Sequence, residues 1–129
     1  MEEAVRWLNQ ARKDLSDAEY LLEGKRNNLA CFVAQQAAEK ALKAYLYAQG
    51  EEEVYGHSVA ELSQKALRYD DRFKEVKEKG ASLDKYYIPT RYPNGLPGGI
   101  PAEAFDHEDA QKAIERAEYV IEFVSNIIS

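Results

Sequence analysis

The sequence has a single cysteine, few prolines and glycines, and no long hydrophobic run. With Cys31 alone, an intramolecular disulfide is excluded. No apolar stretch approaches the roughly 20 residues that a membrane-spanning helix requires. The acidic start, Met1-Glu2-Glu3, does not resemble a secretory signal. Together these absences predict a cytoplasmic protein with no membrane segment.

Basic residues are outnumbered as well. The chain carries 17 Lys and Arg against 23 Asp and Glu, for a net charge of −6. General DNA or RNA binding depends on clustered cations that neutralise phosphates, so an acidic chain without basic clusters is not of that class, although its composition leaves room for a local basic site. The length of 129 residues and the 45% hydrophobic content predict one globular domain over residues 1–129.

Apolar residues recur at helical spacing along most of the chain. Residues 2–24 form one such stretch, which Gly24 would cap. Its apolar stripe consists of Trp7, Ala11, Leu15, Ala18 and Leu22. A second helix is predicted from Asn27-Asn28 to about Gln49, closed by Gly50. Apolar residues cover most of its circumference, which is typical of a central, buried helix.

Capping and breaking residues mark shorter helices in the middle of the chain. Ser58-x-x-Glu61 is a capping box that predicts a helix start. Asp70 or Asp71 would cap another short helix, which Gly80 would end.

The C-terminal third adds one turn and one long helix. Residues 83–87 predict a further turn before Pro89 stops it. The last helix is predicted from near Asp106, with Asp109 three residues on, to the end of the chain. No strand pattern occurs. The predicted fold is all-α, an antiparallel up-and-down bundle of four to five helices with a long Pro/Gly-rich loop before the C-terminal helix.

That loop, LDKYYIPTRYPNGLPGGIP (83–101), holds all four prolines and three of the seven glycines. A segment this long without helix indicates either function or disorder. Arg91 within it is suited to bidentate binding of a phosphate or carboxylate. Tyr87 and Tyr92 could stack a base or pack against the arginine. The alternative is that Arg91 pairs with an acidic residue and holds the loop against the bundle.

A polar strip on the second helix is the other candidate for chemistry. Its members are Gln36, Glu39, Lys40 and Lys43. Their spacing places them on one side of an otherwise apolar helix. This strip is either a solvated face or the polar wall of a cleft.

The remaining reactive side chains predict little chemistry. His57 and His107 each precede a helix and are interpreted as capping or packing residues. They form no metal-binding spacing with their acidic neighbours, so neither a metal nor a cofactor is predicted. Cys31 has apolar neighbours, which favours an inert buried thiol.

Four segments in order resemble the HEPN family (higher eukaryotes and prokaryotes nucleotide-binding) over about residues 3 to 127. They are AVRWLNQARKDLSDAEYLL, FVAQQAAEKALKAYL, GHSVAELSQKAL and LDKYYIPTRYPNGLPGGIPAEAF. The resemblance implies a helical bundle that forms a homodimer. It also implies a minimal nucleotidyltransferase as partner in a two-component, often toxin–antitoxin, system, with a nucleotide or RNA as ligand.

Positions matched to the family are implied to line a cleft near the dimer interface, and all of them except His57 are predicted to bind the ligand. They are Asp14, Gln36, Glu39, Lys40, Lys43, His57, Tyr87, Arg91 and Tyr92. The expected function is a nucleotide-binding component.

One departure from the family bears on catalysis. Ribonuclease members carry an Arg followed four to six residues later by a His, whereas Arg91 is followed by Tyr-Pro-Asn-Gly-Leu-Pro. Ribonuclease activity is therefore the alternative function, with Arg91 and His57 as its catalytic candidates. A non-catalytic, partner-binding subunit is the third.

Overall fold

The computed structural model describes residues 1–128, and that range contains six α-helices and no strand. The helices are α1 (Glu2–Glu23), α2 (Asn27–Ala48), α3 (Val59–Ala66), α4 (Phe73–Gly80), α5 (Pro101–Ala104) and α6 (His107–Ile127). Two short 3₁₀ segments, Ala81–Tyr86 and Pro93–Gly95, lie between α4 and α5. The all-α prediction is confirmed. Ser129, included in the predicted C-terminal helix, lies outside the described residues.

The three long helices form the core, with α2 packed against both α1 and α6. Small side chains on α2 allow this close double contact, since Ala34, Ala37, Ala38 and Ala41 are all fully buried. The predicted central position of α2 is confirmed. Leu29, near its start, is the exception and is 41% exposed.

The start of α3 is capped differently from the sequence prediction. Ser58 Oγ does accept a hydrogen bond from the Glu61 N–H at 3.1 Å, as a capping box requires. The reciprocal bond from the Glu61 side chain is not formed. Instead, Asp84 accepts hydrogen bonds from the N–H groups of Val59 at 2.7 Å and Ala60 at 3.1 Å. A carboxylate from a distant segment therefore completes the cap.

Of the two other predicted helix starts, the one before α6 has a side-chain cap and the one before α4 has none. Asp106 and Asp109 form a full capping box at α6. Before α4, Asp70 accepts the N–H of Arg72, the residue at the cap position, and no side chain caps the helix itself.

The 83–101 segment folds onto the bundle as turns. Asn28 Nδ2 donates to the Thr90 carbonyl at 3.0 Å, which ties the segment to the start of α2. Thr90 is fully buried and donates to the Tyr86 carbonyl. Pro101 then opens α5, where its missing N–H costs nothing. This anchoring fixes the position of Arg91, one residue after Thr90.

Candidate functional site

Arg91 lies among three aromatic rings. Its guanidinium carbon is 4.3 Å from the centroid of Phe32, 4.7 Å from that of Tyr87 and 5.1 Å from that of Tyr92. Its Nε donates to the Tyr87 carbonyl at 2.9 Å. We refer to Arg91 and these three rings as the Arg91 cluster.

The guanidinium of Arg91 has no acidic partner within residues 1–128. Over the same range, Nε makes the only hydrogen bond of the guanidinium, and the two terminal nitrogens make none. The alternative in which an acidic residue pairs with Arg91 is therefore wrong for the described chain. The rings hold the guanidinium through cation–π contacts and leave its forked donors available.

His57 joins this cluster through Tyr87. The two rings are stacked, with centroids 5.3 Å apart and planes 16° from parallel. His57 Nδ1 lies 3.0 Å from Oε1 of Glu39, although 60% of the His57 side chain remains exposed. His57 and Arg91 therefore contact the same ring. The stacking on Tyr87 agrees with the interpretation of His57 as a packing residue, whereas its contact with Glu39 lies outside the capping-or-packing interpretation.

Glu39 and Lys43 are buried, with 3% and 6% of each residue exposed. Lys43 Nζ is 3.4 Å from Oε2 of Glu39 and 5.4 Å from the centroid of the Trp7 ring. Gln36 Nε2 approaches Oε1 of Glu39 at 3.5 Å. The solvated-face interpretation of the polar strip is wrong for this pair. Burial of both charges is tolerated because each has the other as a partner.

Lys40 turns toward α1 rather than toward Arg91. Its Nζ lies 2.5 Å from Oδ2 of Asp14, and Gln10 Nε2 donates to the other oxygen of Asp14 at 2.8 Å. Lys40 also lines an open groove of about 630 Å³ beside Trp7. The predicted site residues thus divide into two groups. Asp14 and Lys40 satisfy each other at the α1–α2 interface, while the remainder surround Tyr87 and Glu39.

Three residues of the site were missed by sequence reasoning. Phe32, one of the apolar residues of the predicted buried helix, has a ring that contacts Arg91 and Tyr87. Gln35 is fully buried and donates to the His57 carbonyl at 2.7 Å, which places the histidine backbone. Asp84, through the α3 cap, joins the segment of Tyr87 to that of His57. The polar side chain of Gln35 on a buried helix was the available signal.

Cys31 is buried and takes no part in the site. Burial, with smaller contributions from Asp109 and Asp106, raises the pKa of its thiol to about 12. Since the thiolate is the nucleophilic form, the predicted inert thiol is consistent with this environment.

Membrane-spanning helices and metal clusters are both missing from the part of the chain that the structure describes. Among the described residues, no helix is both long and apolar enough to cross a membrane. No group of three or more His, Cys, Asp or Glu side chains in residues 1–128 is arranged to bind a metal ion.

Comparison with solved structures shows close relatives of the whole fold. TT1696 from Thermus thermophilus superposes with a TM-score of 0.91 at 39% identity, covering 98% of both chains. ST0689, described as an archaeal HEPN homologue, gives a TM-score of 0.81 at 35% identity over 100% of both chains.

Curated relatives match over nearly the whole chain too. "Putative toxin MJ1304" of Methanocaldococcus jannaschii is 27% identical over 135 residues, covering 95% of this chain and 86% of that protein. Human sacsin is 30% identical over 130 residues, covering 98% of this chain but only 3% of sacsin. The model of the HEPN domain matches residues 4–127. The chain therefore belongs to the HEPN family, as its four sequence segments indicated.

Proposed function

We propose that this HEPN protein binds a nucleotide through the Arg91 cluster and acts as the binding component of a two-component system. The observation that supports this most is the state of Arg91. A half-buried guanidinium is held by three rings and one carbonyl, and no carboxylate within residues 1–128 neutralises it. Such a group is suited to a bidentate contact with a phosphate.

The other predicted ligand residues have different roles in this proposal. Lys40 and Lys43 are already paired with Asp14 and Glu39, so neither offers an uncompensated charge. Gln36 is engaged with its neighbours on α2. Tyr92 is 50% exposed and is available to stack a base. Arg91 supplies the charge, and Tyr92 supplies the aromatic surface.

The test is a thermal-shift and calorimetric titration with AMP, ADP, ATP and GTP, first in EDTA and then with magnesium. A ligand at about 100 times its Kd adds roughly 2.7 kcal/mol of stability, which is readily measured. Arg91→Met keeps much of the side-chain volume and removes the charge, and we expect it to abolish the shift. Arg68→Met is the matched control, because Arg68 is exposed.

For each variant, the melting temperature without nucleotide is the reference against which its thermal shift is measured. If Arg91→Met folds as well as Arg68→Met and still responds to nucleotide, Arg91 is not the phosphate contact. If no nucleotide shifts the wild-type protein, the nucleotide proposal is wrong.

The proposed assembly is a homodimer that works with a minimal nucleotidyltransferase. HEPN membership and the toxin name of MJ1304 support this proposal. Expression of the chain alone should arrest growth, and co-expression of a nucleotidyltransferase encoded beside it should relieve the arrest and yield a co-purifying complex. Normal growth together with separate elution of the two proteins would contradict the pairing.

A second candidate function is metal-independent RNA cleavage. The observation in its favour is that His57 and Arg91 contact the same Tyr87 ring although the sequence lacks a nearby Arg–His motif. In this reaction the 2′-hydroxyl would attack the adjacent phosphorus while His57 Nε2 takes its proton. The 5′-oxygen would leave with a proton from water, and Arg91 would stabilise the phosphate charge.

RNA cleavage is tested with a labelled single-stranded RNA in EDTA. Activity should be lost in His57→Ala and in Arg91→Met. The wild-type protein should also fail to cleave a linkage whose attacking 2′-hydroxyl is replaced by a 2′-deoxyribose. His107→Ala is the matched histidine control, since His107 is exposed at the start of α6. Cleavage that persists in His57→Ala would contradict this candidate.

A further inference from the structure

Glu39 is a buried carboxylate whose two oxygens have different partners. Oε2 faces Lys43 Nζ at 3.4 Å, while Oε1 faces His57 Nδ1 at 3.0 Å. The only other side-chain donor at Oε1 in the described chain is Gln36, at the longer distance of 3.5 Å. A buried charge with a dedicated contact to an exposed imidazole is more than packing requires, since an apolar pair of similar volume is often as stable.

We infer that Glu39 is a positioning residue that fixes His57 as the tautomer with its hydrogen on Nδ1. An ionised carboxylate only accepts hydrogen bonds, so the nitrogen facing it must be the donor. In the neutral ring, Nε2 then carries the free lone pair. This inference rests on the proposed site at Tyr87 and explains which nitrogen of His57 is available there.

The surroundings fix the ring in the remaining directions. Tyr87 stacks on its face, within 16° of parallel, and so defines the ring plane. Gln35 holds the His57 carbonyl at 2.7 Å and so defines the backbone. Glu39 then sets the rotation of the ring within that plane. These three contacts, two from α2 and one from the 83–101 segment, hold the ring against Tyr87 and leave Nε2 as the proton acceptor.

Lys43 has a supporting role on the opposite side of Glu39. Lys43 occupies Oε2 and leaves Oε1 for His57. Glu39 therefore does not contact a ligand in this assignment. It acts through His57, which differs from the direct ligand-binding role that the family resemblance implied.

The test is long-range ¹H–¹⁵N NMR of the imidazole rings, which distinguishes the two tautomers directly. The chain has two histidines, so exposed His107 is an internal control. Spectra are recorded near pH 9, more than two pH units above the ordinary pKa of an imidazole, where an ordinary imidazole ring is neutral. We expect a single Nδ1-protonated form for His57 in the wild type. Glu39→Gln should convert it to a mixture and leave His107 unchanged.

Two further variants separate positioning from stability. Lys43→Met should lower the melting temperature and leave the His57 tautomer as in the wild type. The double variant Glu39→Met with Lys43→Met removes both buried charges together and should fold, while His57 becomes a mixture. A purely structural Glu39 would lower stability without changing the tautomer, and that result would overturn the inference.

RNA cleavage is a separate readout. If cleavage occurs, Glu39→Gln should lower kcat by about 10- to 100-fold with little change in KM, as for other groups that orient a functional imidazole. Absence of cleavage in the wild type would overturn the second candidate function, whereas the tautomer assignment is decided by the NMR spectra. An Nε2-protonated His57 in the wild type would overturn the assignment itself.

Discussion

Ser58 and Asp84 lie in different segments and share one helix cap, with Ser58 Oγ donating to Asp84 Oδ2 at 2.7 Å. Ser58 directly follows His57, and Asp84 lies three residues before Tyr87. The bond between them therefore joins the segment that carries the histidine to the segment that carries the aromatic ring. The stacked rings of His57 and Tyr87 lie on the two segments that this bond joins.

Asp84→Ala should reduce both stability and the order of the site. The variant removes the carboxylate that accepts from Ser58, Val59 and Ala60, and we expect a loss of about 2 kcal/mol in the free energy of unfolding. Urea denaturation measures this loss. Asp71→Ala, at an exposed position, is the control and should change stability little. Equal losses in the two variants would contradict the shared cap.

Gly95→Ala should displace the turn that carries Arg91. A Cβ at position 95 would lie 3.0 Å from the Cα of Pro89 and 3.3 Å from its nitrogen, and backbone atoms cannot yield as a flexible side chain does. We expect weaker nucleotide binding and a lower melting temperature. Gly98→Ala is the matched control, because a Cβ there meets no atom within 4 Å. Unchanged binding in Gly95→Ala would show that the turn adapts.

Phe32→Leu tests the aromatic support of Arg91. Leucine retains most of the apolar contact but removes the ring that lies 4.3 Å from the guanidinium. A cation–π contact at a partly exposed site contributes about 0.5–1 kcal/mol, so we expect a two- to five-fold increase in Kd for the nucleotide. Leu29→Ala, one turn away and 41% exposed, should leave Kd unchanged. A similar effect in both variants would indicate a general loss of order.

The helices could be predicted from the sequence because their signals are local. The 3.6-residue spacing of apolar residues and the capping residues placed the start of α2 at Asn27 and its end within one residue of Ala48. The central, buried position of α2 followed from the apolar residues that cover most of its circumference. Membership of the HEPN family was also visible, because its segments are distinctive and run along the whole chain.

The contacts that build the site could not be predicted in this way. Gln35 and Gln36 are adjacent, and nothing local indicates that Gln35 is the one that reaches a carbonyl 22 positions away. Asp84 caps a helix that starts 25 residues before it, so a local capping pattern named Glu61 instead. Helical spacing reports which face a residue occupies, whereas these partners depend on how separate segments pack.

Cys31 should be unreactive in the folded protein. Because burial raises the pKa of its thiol to about 12, the thiolate fraction near pH 8 is very small, and the sulfur is inaccessible. Labelling with a thiol reagent should therefore be slow in buffer and fast in concentrated urea. The control is the same chain with Cys31→Ala, which should not label in either condition. Rapid labelling in buffer would show that this part of the core opens readily.

The same environment predicts how stability changes at alkaline pH. The thiol of Cys31 has an ordinary pKa of 9.0 in the unfolded chain and about 12 when folded. Between these values the unfolded chain loses this proton first, so ionisation favours unfolding and stability falls as pH rises from about 9. Burial also raises the pKa of Tyr86 to about 12, which acts in the same direction. Urea midpoints should therefore decline more steeply from pH 8 to 10.5 in the wild type than in Cys31→Ala. Parallel declines would indicate that the thiol is not held neutral by the fold.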